Sequence, residues 1–257
     1  MLAFADAQAV AAAVAERLLQ ARRLQPQRPL GLATGRTMVP VYAALQQQLG
    51  LLGSEEQRLI RNDWLSFNLD EYVGLEASDP HSFAAFMADQ LQRPLGLKPH
   101  QVQLPDGMAA DPQQEARRYG AALAAAGGIG LQLLGLGSNG HVGFNEPPCG
   151  PESPCRCLAL SPATRAQNAA AFGGDPQAVP ARAITLGLAE IMAAERILLV
   201  VTGAAKAEIL RRALLDPPCS EVPASWLQGH GDVTVIADEA AFSPSGLPKA
   251  HRPPPDC

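Results

Sequence analysis

From one end of the chain to the other, short runs of β-type residues alternate with Ala- and Leu-rich stretches of helical periodicity. Strands separated by helices pair in parallel, because a parallel connection needs a crossover of about a dozen residues or more, and a helix supplies it. The expected fold is therefore α/β, a mostly parallel sheet with helices on both faces. The strand candidates are 29–33, 64–69, 102–104, 131–136, 197–201 and 233–236. The helix candidates are 6–25, 39–49, 82–91, 112–126, 163–172, 204–215 and a short piece at 223–227. At 257 residues, with 47% hydrophobic and 18% charged side chains, one such sheet has enough apolar material for its core. No internal repeat interrupts the alternation.

The same composition narrows the partners. Twenty Lys and Arg against 25 Asp and Glu give a net charge of −5 without any like-charge run, which argues against nucleic acid. No uninterrupted apolar stretch reaches the roughly 18 residues of a membrane span. The first residues, Met1 to Asp6, lack a basic leader and run into a helix broken by Gln8, Glu16 and Arg17, so no signal peptide is expected. Five cysteines, an odd number, fit reduced thiols in a cytoplasmic protein. Cys155 and Cys157 near Cys149 and His141 raise the thought of zinc, but the spacing is not that of paired C-x-x-C knuckles, and we expect no metal.

One region departs from the alternation. Residues 147–180 carry many Pro and Gly around a short helical run, the mark of a functional lid or a disordered connection. We expect residues 1–246 to form a single domain with a lid at about 147–180, and 247–257 to be a proline-rich flexible tail.

Four segments could carry chemistry. Thr34-Gly35-Arg36-Thr37 follows a strand and precedes a helix, where unpaired N–H groups meet anions, although it is not a Walker loop. Asn68-Leu69-Asp70-Glu71-Tyr72 ends a strand in two adjacent carboxylates, one of which could be a general base. Residues 135–140 satisfy G-x-G-x-x-G, yet Pro147, Pro148 and Pro151 follow where a dinucleotide fingerprint should open a helix. What remains there is Gly137, Asn139, a glycine-flanked His141 and Glu146, groups suited to moving protons between oxygens. Lys206, one of only three lysines, sits at another strand-to-helix switch and could hold a phosphate.

Read together, these segments resemble the glucosamine-6-phosphate deaminase (isomerase) family over nearly the whole chain. The resemblance rests on N-x-D-E-Y at 68–72, G-H-x-G-F-N-E-P at 140–147, His81-Ser82-Phe83, Thr164-Arg165 with Asn168, 183–187, and Thr202-Gly203 with Lys206. The related 6-phosphogluconolactonases share the glycine-rich turn and its histidine but lack the F-N-E-P ending. The resemblance implies a three-layer, Rossmann-like fold and cofactor-free isomerising deamination of glucosamine 6-phosphate to fructose 6-phosphate and ammonia. It further implies a small sugar phosphate as partner, acting on a monomer or homo-oligomer. Carried over residue by residue, it makes Asp70 the base at C2, and His141, with Glu146 and Asn139, the ring-opening group. Thr34, Gly35, Arg36, Thr37, Glu71, Gly137 and Lys206 become substrate-binding, with Glu71 also supporting Asp70.

The chain departs from the family pattern at several positions. Asn139 stands where many members have Asp, so the imidazole is oriented without a charge behind it. Ala170 stands where the lid usually carries a phosphate-clasping Arg, and Arg36 is the candidate to replace it. Met38 replaces a usual Pro. Arg156 matches one basic position of an effector site whose lysine position is Leu158 here, so no N-acetylated sugar phosphate activation is expected. Two alternatives stay open at this point, a lactone hydrolase on the same scaffold and a sugar-phosphate sensor without turnover.

Overall fold

The computed structural model describes residues 1–243. In chain order the elements are β1 (Leu2–Phe4), α1 (Ala7–Leu24), β2 (Leu30–Leu32), α2 (Met38–Gly50), α3 (Ser54–Asn62), β3 (Ser66–Asn68) and β4 (Asp70–Tyr72). Next come α4 (Phe83–Met87), a π-turn at Ala88–Gln92, α5 (Arg93–Leu95), β5 (Val102–Gln103), α6 (Pro112–Ala125), β6 (Leu131–Gly135) and β7 (Arg156–Ala159). The chain continues through α7 (Pro162–Asn168) with a 3-10 turn at Ala169–Phe172, β8 (Arg182–Thr185), α8 (Leu188–Met192) and β9 (Arg196–Val201). It ends in a 3-10 turn at Ala204–Lys206, α9 (Ala207–Leu215), a 3-10 stretch at Pro223–Gly229, β10 (Val233–Asp238) and α10 (Glu239–Phe242).

Seven strands form one parallel sheet in the order β1-β10-β9-β6-β2-β3-β5. The central strands are apolar almost throughout, as burial on both faces requires: in Arg196-Ile-Leu-Leu-Val-Val201 all but the first residue are buried. Right-handed crossovers fix the layers. The chain moves one way along the sheet from β1 to β2 to β3, which places α1, α2 and α3 on one face. It moves the other way from β5 through β6 and β9 to β10, which places α6 and α9 on the opposite face. In keeping with this, α1 packs on α2 and α3, and α9 on the 223–229 stretch. The three-layer α/β expectation holds, and the chain has no helix among its described residues that is long and apolar enough to cross a membrane.

The six strands read from the sequence all form. Beyond them, Leu2–Phe4 is a strand at the sheet edge, ahead of the helix that Asp6 caps through Ala9 N–H at 2.8 Å. A second, antiparallel sheet of β4, β8 and β7 was not expected. It turns the 147–180 stretch from a plain connection into a built element, since β7 and α7 lie within it. The expected tail at 247–257 lies outside the described residues.

The small sheet joins the large one through Leu69, whose N–H donates to Leu32 O at 2.9 Å and whose carbonyl accepts from Leu186 N–H at 2.7 Å, and Glu71 ties it to α4. Glu71 Oε1 accepts from Tyr72 N–H at 2.8 Å and Phe83 N–H at 3.0 Å, and its Oε2 from Ala84 N–H at 2.7 Å. Two of those donors open α4, whose first N–H groups have no partner within the helix. Glu71 is thus a buried clamp between β4 and α4. Replacing it by alanine leaves three buried donors unmet, at roughly 1–3 kcal/mol each before relaxation. Glu71→Ala is expected to lower the melting temperature by about 5–15 °C in a thermal melt followed by circular dichroism.

Candidate active site

β2 and β6 are neighbours, but the chain leaves them towards opposite faces of the sheet. A crevice opens at such a reversal, beyond the carboxyl ends of the strands. Residues 33–37 follow β2 on one side of it and residues 136–146 follow β6 on the other. A cavity of about 660 Å³ fills the crevice, and its walls include Thr34, Gly35, Arg36, Thr37, Asp70, Gly137, His141 and Lys206. Tyr72, His81, Phe83 and Phe144 add an aromatic wall, and Gln167, Asn168, Ala170, Ala171 and Phe172 of the lid form the roof.

His141 is held from two sides. Its ring lies so close over Gly137 that a Cβ there would stand 2.3–2.4 Å from the imidazole, so only glycine fits beneath it. Asn139 Oδ1 accepts from the His141 backbone N–H at 3.2 Å and lies 2.6 Å from Nδ1. The backbone donor identifies that amide atom as oxygen, which in turn assigns the proton to Nδ1 and leaves Nε2 as the basic atom. Burial pushes the imidazole down to about 4, the nearby Glu146 charge opposing and Lys206 reinforcing the shift. Asn139 brings no compensating charge, so the ring is neutral near pH 7.

Asp70 lies at the start of β4, buried, and no hydrogen bond reaches its carboxylate from the described residues. Burial, with the neighbouring Glu71 charge, pushes it up to about 8. Gly143, at φ +58°, lets the turn pass close to it: a Cβ there would come within 3.4 Å of Asp70 Oδ2. Arg36 and Lys206 meet at another part of the wall. Burial lowers Lys206, and the Arg36 charge lowers it further. Among the described residues neither cation has an ion-pair partner. Two unpaired cations close enough to repel each other mark a place for an anion.

Three residues expected at the site are placed differently. Glu71 faces α4 and is absent from the cavity wall, because successive residues of a strand point to opposite sides. Asn139 lies behind His141 and does not line the cavity. Glu146 also stands back: its carboxylate accepts from Ser161 N–H and Ser161 Oγ, both at 2.9 Å, at the N-cap of α7. It acts on His141 through charge and on the lid through hydrogen bonds. Sequence reading gave no role to Gln167 or to His81, although Asn168 and His81 stood in segments it singled out. Cys149 contacts Ser153, Arg156 and Asn145, and no cluster of three or more His, Cys, Asp or Glu suited to a metal occurs among the described residues.

An open parallel sheet with a buried carboxylate, a buried imidazole and two neighbouring cations around one cavity at its switch point has the build of α/β proteins that bind small ligands there. Within that class, residues 4–235 match the family model of glucosamine-6-phosphate isomerases/6-phosphogluconolactonase, and the chain belongs to this family. It is 39% identical over 256 residues to a glucosamine-6-phosphate deaminase of Streptomyces coelicolor, covering 96% of this chain and 95% of that protein. It is 42% identical over 236 residues to one of Shouchella clausii, covering 92% of each. The solved structure of a monomeric glucosamine-6-phosphate deaminase superposes with a TM-score of 0.87 at 34% identity, over 94% of this chain and 98% of that one. The 6-phosphogluconolactonase of Trypanosoma brucei shares the fold, with a TM-score of 0.69 at 22% identity over 93% and 95% of the two chains.

The Asp70 environment has a measurable consequence. A carboxyl raised from 3.8 to about 8 keeps its proton in the folded state while the unfolded chain loses it. Its effect on stability is therefore nil below about pH 4, grows as pH rises, and is complete above about pH 8. Asp70→Asn removes that penalty. The variant is expected to melt roughly 5 °C or more above the parent at pH 9 and close to it at pH 4, in thermal melts across that range.

Proposed function

We propose that the chain catalyses the isomerising deamination of glucosamine 6-phosphate to fructose 6-phosphate and ammonia. The observation that carries the reading is the pairing of an unpartnered buried carboxylate, Asp70, with a neutral imidazole in one cavity whose wall also holds two unpaired cations. Relatives named for this activity, at 39–42% identity over nearly the full chain, support it.

In this reading the phosphate lies between Arg36 and Lys206 on the Thr34–Thr37 turn, with Arg36 in place of the lid arginine that Ala170 lacks. His141 Nε2 takes the proton of the anomeric hydroxyl and returns it to the ring oxygen, opening the pyranose. Asp70 removes the proton from C2 as one proton of the C2 ammonium passes to O1, giving an enolamine. Asp70 then delivers its proton to C1, and the resulting C2 iminium adds water and releases ammonia. A sugar C2 ammonium beside Asp70 favours its charged form, so the substrate itself helps to prepare the base. Asn139 and Glu146 position and polarise the imidazole from behind, and Glu71 holds β4 in place. Proton transfer needs no redox or electrophilic cofactor in this scheme, and sugar phosphate is the partner.

The reading predicts steady ammonia release from glucosamine 6-phosphate by the purified protein. Asp70→Asn is expected to lower kcat by about 10²–10⁴-fold, the usual worth of a general base. The value of kcat/KM should rise with pH towards an apparent pKa near 8, and that of kcat should rise at lower pH, because the bound ammonium pulls the Asp70 value down. Arg36→Ala should raise KM about tenfold or more with a smaller effect on kcat, as expected for loss of a charge-assisted phosphate contact. Lactone hydrolysis without ammonia release would reject the deaminase reading in favour of the lactonase branch of the family.

A further inference from the structure

The cavity contains a second imidazole that the chemistry above does not use. His81 stands at its mouth, in the segment between β4 and α4. Asp79 Oδ1 accepts from the His81 backbone N–H at 2.8 Å and lies 2.9 Å from ring Nδ1. Those two hydrogen bonds hold the Asp79 carboxyl below its ordinary range, so it is an acceptor only and the proton is on Nδ1. On its face the ring stacks against Phe172 of the lid, with centroids 4.8 Å apart and planes 20° from parallel. Phe172 in turn meets Tyr72 edge-on at 5.6 Å. A carboxylate and an aromatic ring thus fix the imidazole in position and tautomer, and Nε2 is left as its one atom without a hydrogen-bond partner among the described residues. Orientation of a side chain by a second group in this way is the usual build of a ligand contact.

We propose that His81 contacts the substrate: its Nε2 accepts a hydrogen bond from a hydroxyl of the bound sugar phosphate, and its face seats Phe172 so that the turn at residues 169–172 roofs the ligand. The inference rests on the sugar-phosphate reading of the cavity and adds a specificity residue to it. His81 differs from Asp70 and His141 in kind. It moves no proton in the reaction, so its loss acts on binding and leaves the chemical step in place. The lid gains an anchor by the same contact, since the stack reaches the segment in which Ala170 supplies no charge.

Two variants separate the polar and the packing parts. His81→Phe keeps an aromatic face for Phe172 and removes Nε2, and His81→Leu removes both. Binding of fructose 6-phosphate is measured by calorimetry on the full chain, alongside the kinetics of ammonia release from glucosamine 6-phosphate. His81→Phe is expected to weaken Kd and raise KM by about three- to tenfold, the worth of one neutral hydrogen bond, with kcat within about twofold of the parent. His81→Leu should weaken Kd further. Parent-like Kd in His81→Phe overturns the proposal, as does an equal fall of kcat and kcat/KM with Kd unchanged. If one variant fails to fold, as a thermal melt shows, the Kd of the other decides. A parent protein that binds fructose 6-phosphate but releases no ammonia refutes the deaminase reading and leaves the His81 comparison intact. A parent that binds no hexose phosphate overturns both.

Discussion

β2 and β6 lie side by side in the sheet, yet the chain leaves them towards opposite faces, and the two loops beyond their carboxyl ends are forced apart. The gap between those loops is the cavity, and the rest of the site follows from it. Each flanking strand delivers one short loop to the rim: 33–37 from β2 and 136–146 from β6, with β9 adding the turn that carries Lys206. Because the strands are buried on both faces, their ends are fixed by the whole core. Loops of a few residues then place side chains with little freedom to wander.

Burial and charge act on that frame in opposite senses at its two working regions. Asp70 and His141 are stripped of water, so each is driven towards its neutral form, one upward and one downward, and the Glu146 charge offsets only part of the shift at His141. Arg36 and Lys206 stand together without an ion-pair partner among the described residues, and burial with the Arg36 charge lowers Lys206. A site of this kind suits a ligand with an anion at one end and a cation or polar hydrogen near Asp70. A 2-amino sugar phosphate has both. The amide of Asn139 fits the same logic, since it orients the imidazole without stabilising its cationic form.

The six strands of the parallel sheet and most of its helices were legible because each is a local pattern, an apolar run or a 3.6-residue period bounded by turns. The small sheet was not, because β4 pairs with β8 more than a hundred residues away and its Asp-Glu-Tyr sequence has little β character of its own. Polar α3, Ser-Glu-Glu-Gln-Arg-Leu-Ile-Arg-Asn, was missed because Leu59 and Ile60 are its only apolar residues, too few to display a helical period. The unseen strand also explains the misplaced Glu71. Once 70–72 is extended, period two sends Asp70 and Glu71 to opposite sides, one into the cavity and one onto α4. The cavity residues that were anticipated came from the carboxyl ends of strands, where sequence and topology point to the same place. Glu146 was harder, because its partner Ser161 lies in the lid and only the folded chain brings them together.

The 162–172 stretch meets the rest of the site without an ion pair among the described residues. Its helix α7 is tied to the floor by hydrogen bonds: Ser161 to Glu146, Ser138 to Gln167 at 2.6 Å, and Asn168 to Tyr72 at 3.0 Å. Each tie reaches a segment that bears a proposed catalytic group, since Ser138 and Glu146 flank His141 and Tyr72 follows Asp70 on β4. Among the described residues, Arg36 and Lys206 are the Arg and Lys side chains that line the cavity, and both stand on loops that follow strands of the large sheet, whereas Ala170 stands in the roof. On the proposed reading, charge and shape are therefore met by different parts of the fold: the loops beyond β2 and β9 offer Arg36 and Lys206 to the phosphate, and the 162–172 stretch meets the sugar through packing and hydrogen bonds.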